Sequence, residues 1–331
     1  MLRPSLNVLA AMTLVSLLAT TGRPTVAYGQ AGKPSALPST ITFIFPLAAG
    51  GGGDVQTRLV ARHLPKYLPG NPAIVVRNEV GAGGRAGVQY VARSKPDGSV
   101  IGAAYTPGAL SNQITSGADA GYDFSKFVLL TSTYHQAYTV AAGPKTPYNK
   151  LDDLKKAGHA ISFCVTGDID MAYMVIAAKV VGFPFRLIPG YKGAPLAVAG
   201  LLRGDCEVVS FSLEFTNRYL KEGVRPIAVH AEERDKLWPN VPTSKEQGYP
   251  LDLKIDVVFF LPQGSPTEIA NVLRDGLTKL YQDKEFLDAI RAAGFTPTFA
   301  DTKRTQQMGA GLFELFSKYA SDIREAAAKV Q

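Results

Sequence analysis

From residue 41 onward the chain alternates short apolar runs with amphipathic ones, and this rhythm restricts its fold more than any other feature. ITFIFPL is followed by VQTRLVARHLPKYL, then AIVVRN, then a helical stretch opening near Gly84, then SVIGAAY. Short β-branched and aromatic runs read as strands, and the 3.6-residue spacing between them reads as helix. Strands alternating with helices imply βαβ units and a mostly parallel sheet. The rhythm restarts at LDDLKKA and continues through ISFCV, MAYMVIAAKVVG, FRLIPGY, APLAVAGLLRG, CEVVSFS, LEFTNRYLKEG and RPIAVHA, a second α/β unit. LKIDVVFFLP then leads into PTEIANVLRDGLTKLYQD, EFLDAIRAAG and a final helical stretch from about Arg304 to Val330.

A second unit that ends well before the C-terminus implies a chain that crosses out of the first lobe and returns to it. The expected crossings are STYHQAYTVAAG, about 131–143, and KIDVVFFLP, about 254–262. The expected organisation is a first part of domain 1 over 36–140, domain 2 over 141–256 and a returning part of domain 1 over 257–331, with a ligand cleft between the lobes. Tyr134 and His135 fall beside the first crossing, where a histidine is expected to be structural.

Residues 1–31 read as a secretory signal peptide. Arg3 precedes LNVLAAMTLVSLLA, an apolar run too short to span a bilayer comfortably. Cleavage is placed after Ala27, with Thr25 at the minus-three position, or after Ala31, with Gly29 there, and an uncleaved anchor is the alternative. No cysteine lies nearby to take a lipid, and PTVAYGQAGKPSALPST reads as a short flexible leader. No later stretch is long and apolar enough for a transmembrane helix, so a soluble, exported, periplasmic protein is expected. Loss of Arg3 and Arg23 takes the formal net charge from +7 to +5, spread along the chain without a Lys/Arg block. That distribution argues against nucleic acid and suits small anions. Cys164 and Cys206 sit in the strand-like runs ISFCV and CEVVSF, either as one disulfide or as two buried thiols. Neither has a neighbouring ligand at metal-binding spacing, so no metal and no cofactor are expected.

Four glycines in PLAAGGGGD, residues 46–54, separate a strand from a helix. Glycines there permit a tight turn and leave amide N–H groups unobstructed at a helix N-terminus, an anion-binding arrangement. Asp54 is expected to cap that helix. GAGGRAG, residues 81–87, is a second such loop after AIVVRN, and both open at the sheet edge where open α/β folds hold ligands. A Walker loop is excluded because no lysine stands at the required place in GGGGDVQ. GAGGRAG does fit the loose dinucleotide pattern, but the acidic residue that would read a ribose is missing: Asp97 belongs to the PDG turn before SVIGAAY. Glycines serving tight turns alone are the plainer alternative. Neither G-x-S-x-G nor H-E-x-x-H occurs, and His63, His135, His159 and His230 are scattered without a nucleophile or ligand spacing, so no catalytic role is expected.

Five segments, PLAAGGGGD, RNEVGAGGRAG, ARSKPDGSVIG, IPGYKGAP and NVPTSKEQGYP, together resemble, in order and spacing, the solute receptors of tripartite tricarboxylate transporters, the Bug or TctC type. The resemblance runs from about Ile41 to Phe299. It implies a two-lobed type II periplasmic-binding-protein fold that closes around a small, usually carboxylated solute and presents it to a membrane permease. In the family the first two loops hold a carboxylate through backbone amides and ordered waters. Carried over, that nominates Ala48, Ala49, Gly50 and Gly52 in the first loop and Gly83, Gly84 and Arg85 in the second.

Two departures bear on the ligand. Arg85 stands where the family has a small or uncharged residue, either as a direct carboxylate clamp or as a solvated helix-surface arginine. VTGDIDMAY, residues 165–173, replaces a neutral helix-opening loop and brings in Gly167, Asp168 and Asp170. If Asp168 faces the cleft it suits an ammonium or hydroxyl group; if not, it caps the helix MAYMVIAAKVVG. Tyr105, Thr106, Tyr191 and Lys192, at strand ends or in loops on the same side, complete the candidate set, with Lys192 alternatively fixing its own loop. The expected partners are an organic acid, amino acid or related amide and the permease subunits, with the receptor a monomer. An exported α/β enzyme acting on a small anion, or a periplasmic sensor or interaction protein, is the competing expectation.

Overall fold

The computed structural model describes residues 37–236 and 238–329; the expected signal peptide and both cleavage sites lie outside the described residues. Its strands are β1 (Thr40–Phe45), β2 (Ala73–Asn78), β3 (Val100–Tyr105), β4 (Val128–Ala137), β5 (Thr139–Ala142), β6 (Ile161–Cys164), β7 (Phe185–Ile188), β8 (Val208–Val209), β9 (Arg225–Val229), β10 (Lys254–Leu261) and β11 (Phe299–Ala300). They form two sheets, ordered β11-β4-β10-β3-β1-β2 and β7-β6-β8-β5-β9.

Burial explains the patterns of these runs. In β1, Ile41, Phe43, Ile44 and Phe45 are all buried, because helices cover both faces of an inner strand, which then has no polar side to alternate with. Its neighbour β2 lies at the sheet edge and does alternate, exposing Ala73, Val75 and Arg77. β10, between β3 and β4, is buried from Ile255 to Leu261. There the Phe260 ring covers its register partner Gly102, leaving no space for a Cβ.

Among the described residues, four of the nine strand pairings are parallel: β1 with β2 and β3, and β6 with β7 and β8. The other five are antiparallel and all involve a strand at or near a lobe crossing, so a mostly parallel sheet is found only on one side of each lobe. The physical reason is connectivity. β4 carries the chain out of the first sheet, β10 brings it back alongside, and two adjacent segments running out and back must be antiparallel. A single residue, Tyr138, separates β4 from β5 in the other sheet. Its N–H donates to Leu253 O at 2.8 Å and its carbonyl accepts from His230 N at 2.8 Å, so outgoing and returning chains are bonded at the crossing.

The C-terminal stretch forms two helices, Thr302–Lys318 and Ala320–Ala328, the first capped by Asp301, whose side chain accepts from Arg304 N. They reach across to the helix Asp168–Val181: Phe316 packs edge-on against Tyr173 at 5.8 Å, and Lys179 pairs with Asp322 at 2.5 Å. Cys164 and Cys206 form a disulfide, which decides between the two alternatives left by the sequence.

Candidate functional site

The first glycine loop joins β1 to the helix Gly52–His63. That helix begins two residues before Asp54, with Gly51 as N-cap, so Asp54 is not the cap but a third-position acid. Its buried carboxylate reaches back to accept from Gly50 N at 2.9 Å, and it also accepts from Asn78 Nδ2 at 2.8 Å and Arg58 Nε at 2.9 Å. Burial raises its pKa, but the hydrogen bonds from Arg58, Gly50 and Asn78 outweigh it and hold the group below the usual carboxylate range. Asn78 Nδ2 also donates to Leu47 O at 2.9 Å, so the loop is held from inside. Gly50, at φ +89°, takes a backbone shape that disfavours any Cβ.

Two of the loop's N–H groups are therefore spoken for. Gly50 N donates to Asp54, and Gly53 N donates to Tyr105 Oη at 2.8 Å. Among the described residues no hydrogen bond engages the N–H groups of Ala48, Ala49, Gly51 or Gly52, all of which line the cleft. The glycines also make room for tyrosines: a Cβ at Gly52 would sit 2.5 Å from Tyr134 Oη, and one at Gly53 2.7 Å from Tyr105 Oη.

The second loop follows β2 as a tight turn, Ala82–Gly84, that opens the helix Arg85–Ala92. Gly83 and Gly84 both have positive φ, +64° and +96°. Gly87, the last glycine of GAGGRAG, meets Pro46, whose Cα would lie 2.8 Å from a Cβ, so it serves helix-to-loop packing.

From the other lobe, β6 leads through Val165–Gly167 to the helix Asp168–Val181, whose N-cap is Gly167. Here the sequence device of the first loop recurs. Asp170, again in the third helical position, accepts from Thr166 N at 2.8 Å and Thr166 Oγ1 at 3.1 Å. Burial dominates at this carboxyl and pushes its pKa up to about 7. Asp168, at the first helical position and not the cap, instead faces the cleft. Its carboxylate lies against Gly83 of the opposite lobe, where a Cβ would collide with it. Burial raises its pKa and the charge of Arg85 offsets part of that rise. Ser111 Oγ donates to Asp168 O at 3.3 Å, a hydrogen bond between the lobes.

Together these elements enclose a cleft of about 1080 Å³. Of the residues nominated from sequence, Ala48, Ala49, Gly50, Gly52, Gly83, Gly84, Tyr105, Gly167, Asp168 and Lys192 line it. Arg85, Thr106 and Tyr191 do not. Arg85 Nη1 donates to Ser116 Oγ at 2.7 Å, Thr106 Oγ1 donates to the buried Asp256 at 2.9 Å, and Tyr191 Oη donates to Asp205 at 3.1 Å while its ring covers Gly200. His135 lies outside the cleft, hydrogen-bonded to Ser132 Oγ at 2.8 Å, and burial lowers its pKa to about 4.

The cleft also holds residues the sequence did not single out: Asn112, Phe211, Glu214, Phe215, Arg218 and Phe295. Phe211 to Arg218 follow the second-lobe strand β8, so the strand-end rule that found the glycine loops applied equally to SFSLEF. Tyr134 enters by a β-bulge. β4 pairs Thr133 with Val257 and Gln136 with Ile255, so Tyr134 and His135 together oppose Asp256. The bulge places Tyr134 at φ +60°, a left-handed conformation costing a non-glycine residue about 1–2 kcal/mol. It turns the ring into the cleft against Phe295, at 5.5 Å, and toward Tyr105, at 6.4 Å.

Comparison with known proteins agrees with this architecture. Residues 57–314 match the model of a family described as the tripartite tricarboxylate transporter family receptor, TctC. The BugT protein of Bordetella pertussis is 27% identical over 332 residues, covering 97% of this chain and 100% of that one. A ligand-free TctC solute-binding protein from Polaromonas has 25% identity and a TM-score of 0.71, covering 86% of this chain and 98% of that one. Rpa4515 of R. palustris, solved with adipate, shares the fold at a TM-score of 0.72 and 21% identity, over 86% of this chain and 98% of its own. The chain belongs to the TctC family, the solute receptors of tripartite tricarboxylate transporters.

Proposed function

We propose that this receptor is exported to the periplasm, binds a small carboxylated solute in the interlobe cleft and hands it to a tripartite transporter permease without transforming it. One observation carries the proposal: Ala48, Ala49, Gly51 and Gly52 line the cleft at a helix N-terminus, and their N–H groups have no hydrogen-bond acceptor among the described residues. Such a cluster of donors, with the positive end of the helix dipole behind it, is suited to a carboxylate. Gly50 shapes the loop, and Tyr105 and Tyr134 supply an aromatic wall.

In this scheme 36–140 and 257–331 make one lobe and 141–256 the other, with Tyr138 at the crossing. Solute held by the first loop and touched by the 165–170 loop favours the closed form, because only there are both sets of contacts made. The bond from Ser111 to Asp168 O and the approach of the Asp168 carboxylate to Gly83 support such a closed state.

Thermal unfolding of the purified protein against mono-, di- and tricarboxylates, amino acids and amides tests the proposal. A ligand at about a hundred times its Kd adds about 2.7 kcal/mol and raises the midpoint by several degrees. Ala49→Asp, an exposed change that sets a negative charge, like that of the solute, beside the donors, should abolish that shift without lowering the unliganded midpoint. An unaltered Kd in this variant rules out the first loop as the carboxylate site.

A further inference from the structure

The second loop carries an acidic and acceptor-rich surface where the family resemblance places a carboxylate site. Asp168 brings its carboxylate against Gly83, and among the described residues that carboxylate accepts no hydrogen bond. Asn112 stands beside it from the helix Thr106–Ser116. It is 4% exposed, and its Nδ2 donates to Gly83 O at 2.9 Å, which fixes the amide so that Oδ1 is the atom left over. A Cβ on Gly83 would lie 3.5 Å from Asn112 Oδ1 and closer still to Asp168 Oδ2, so the two acceptors flank the same glycine. No described residue donates to Asn112 Oδ1 either, although the side chain is almost wholly buried. A solute group that donates to both supplies the partner that each lacks.

The charges of the surrounding wall point the same way. Glu214 adds a carboxylate to the cleft, partnered by Gln136 Nε2, whereas the lining cations Lys192 and Arg218 are exposed on the rim. A dicarboxylate anchored on the first loop would meet Asp168 with its second carboxylate.

We propose that Asp168 and Asn112, one from each lobe, receive the ammonium group of an amino-acid solute whose carboxylate occupies the first-loop amides. An ammonium has three N–H donors and no acceptor, which matches two acceptors and excludes a second carboxylate. Because the two acceptors belong to different lobes, the ammonium also ties the lobes together. The inference rests on the carboxylate site proposed above.

Titration calorimetry with matched trios separates the two. Each trio holds an amino acid, its desamino acid and its 2-hydroxy acid: phenylalanine with 3-phenylpropionate and phenyllactate, leucine with 4-methylvalerate and 2-hydroxy-4-methylvalerate, and glutamate with glutarate and 2-hydroxyglutarate. In a trio that fits the cleft, the amino acid should bind about 10- to 100-fold more tightly than either analogue, the range for a hydrogen-bonded charged group. Asp168→Asn should erase that preference while the desamino acid keeps its Kd. A desamino or hydroxy acid that binds as tightly as the amino acid overturns the ammonium assignment and leaves the carboxylate site standing. A preference that survives Asp168→Asn removes Asp168 from the site. If none of the nine acids binds, the carboxylate site and the ammonium site fall together.

Discussion

Opening the Cys164–Cys206 disulfide should destabilise the second lobe by about 4 kcal/mol. The two cysteines are 42 residues apart in sequence and both are buried, Cys164 at the end of β6 and Cys206 just ahead of β8. Closing a loop of that length removes roughly 13 cal/mol/K of entropy from the unfolded chain, which is about 4 kcal/mol at 25 °C. The folded lobe is little affected, since β6 and β8 pair through Phe163 and Val208 whether or not the sulfurs are bonded. Urea unfolding followed by circular dichroism, with and without reductant, reads the difference directly. Reduction keeps both thiols in place and so isolates the crosslink; the Cys164→Ala/Cys206→Ala double variant adds a small packing loss. The slope of the transition should steepen without the crosslink, because the unfolded chain then exposes more surface. A midpoint unmoved by reductant, or two thiols that react in unfolded protein never exposed to reductant, would refute the reasoning.

Gly102→Ala should destabilise by about 1–3 kcal/mol with solute binding unchanged in the folded fraction, since the new methyl meets the Phe260 ring in the sheet interior; an unaltered urea midpoint would show that the ring moves freely. Tyr105→Phe leaves Gly53 N without its acceptor, an expected loss of about 0.5–1.5 kcal/mol, and calorimetry should show weaker solute binding as the helix start loosens. Asp256 is buried and its pKa is pushed up to about 7 from 3.8, mainly by burial, so its contribution to stability is present at low pH and is lost as pH rises through about 7. Asp256→Asn should therefore gain stability relative to the unmodified chain between those pH values, and a flat difference in urea midpoint would show that Asp256 titrates normally. His230 behaves in the opposite sense: fully buried, with its pKa lowered from 6.5 to about 4, it stabilises above 6.5 and loses that contribution as pH falls through about 4. His230→Leu should flatten this part of the acid limb, and an unchanged limb would count against a neutral buried ring.

The alternation of strand and helix, the two glycine loops and the five family segments were legible in the sequence because each is local: apolar periodicity reports burial along one stretch, and consecutive glycines report a backbone that must turn tightly. The same locality limited what could be said about individual side chains. Asp54 and Asp168 both looked like caps, yet the helices start at Gly52 and Asp168, and that small shift in register turns Asp54 back onto Gly50 and sends Asp168 across to Gly83. Arg85, Thr106 and Tyr191 sit at the expected strand and helix ends but find Ser116, Asp256 and Asp205, partners 14 to 150 residues away. Tyr134 reaches the cleft through a bulge set by its pairing with a strand more than a hundred residues later in the chain. The sequence by itself determined the alternating strands and helices around the two glycine turns and of the second lobe, though not the helix Thr106–Ser116 or the strand Phe299–Ala300. Only the tertiary structure decided whether the two cysteines bond, which strands run antiparallel and which side chains line the cleft, because those depend on distant segments brought together, and a side chain's direction follows from what it packs against.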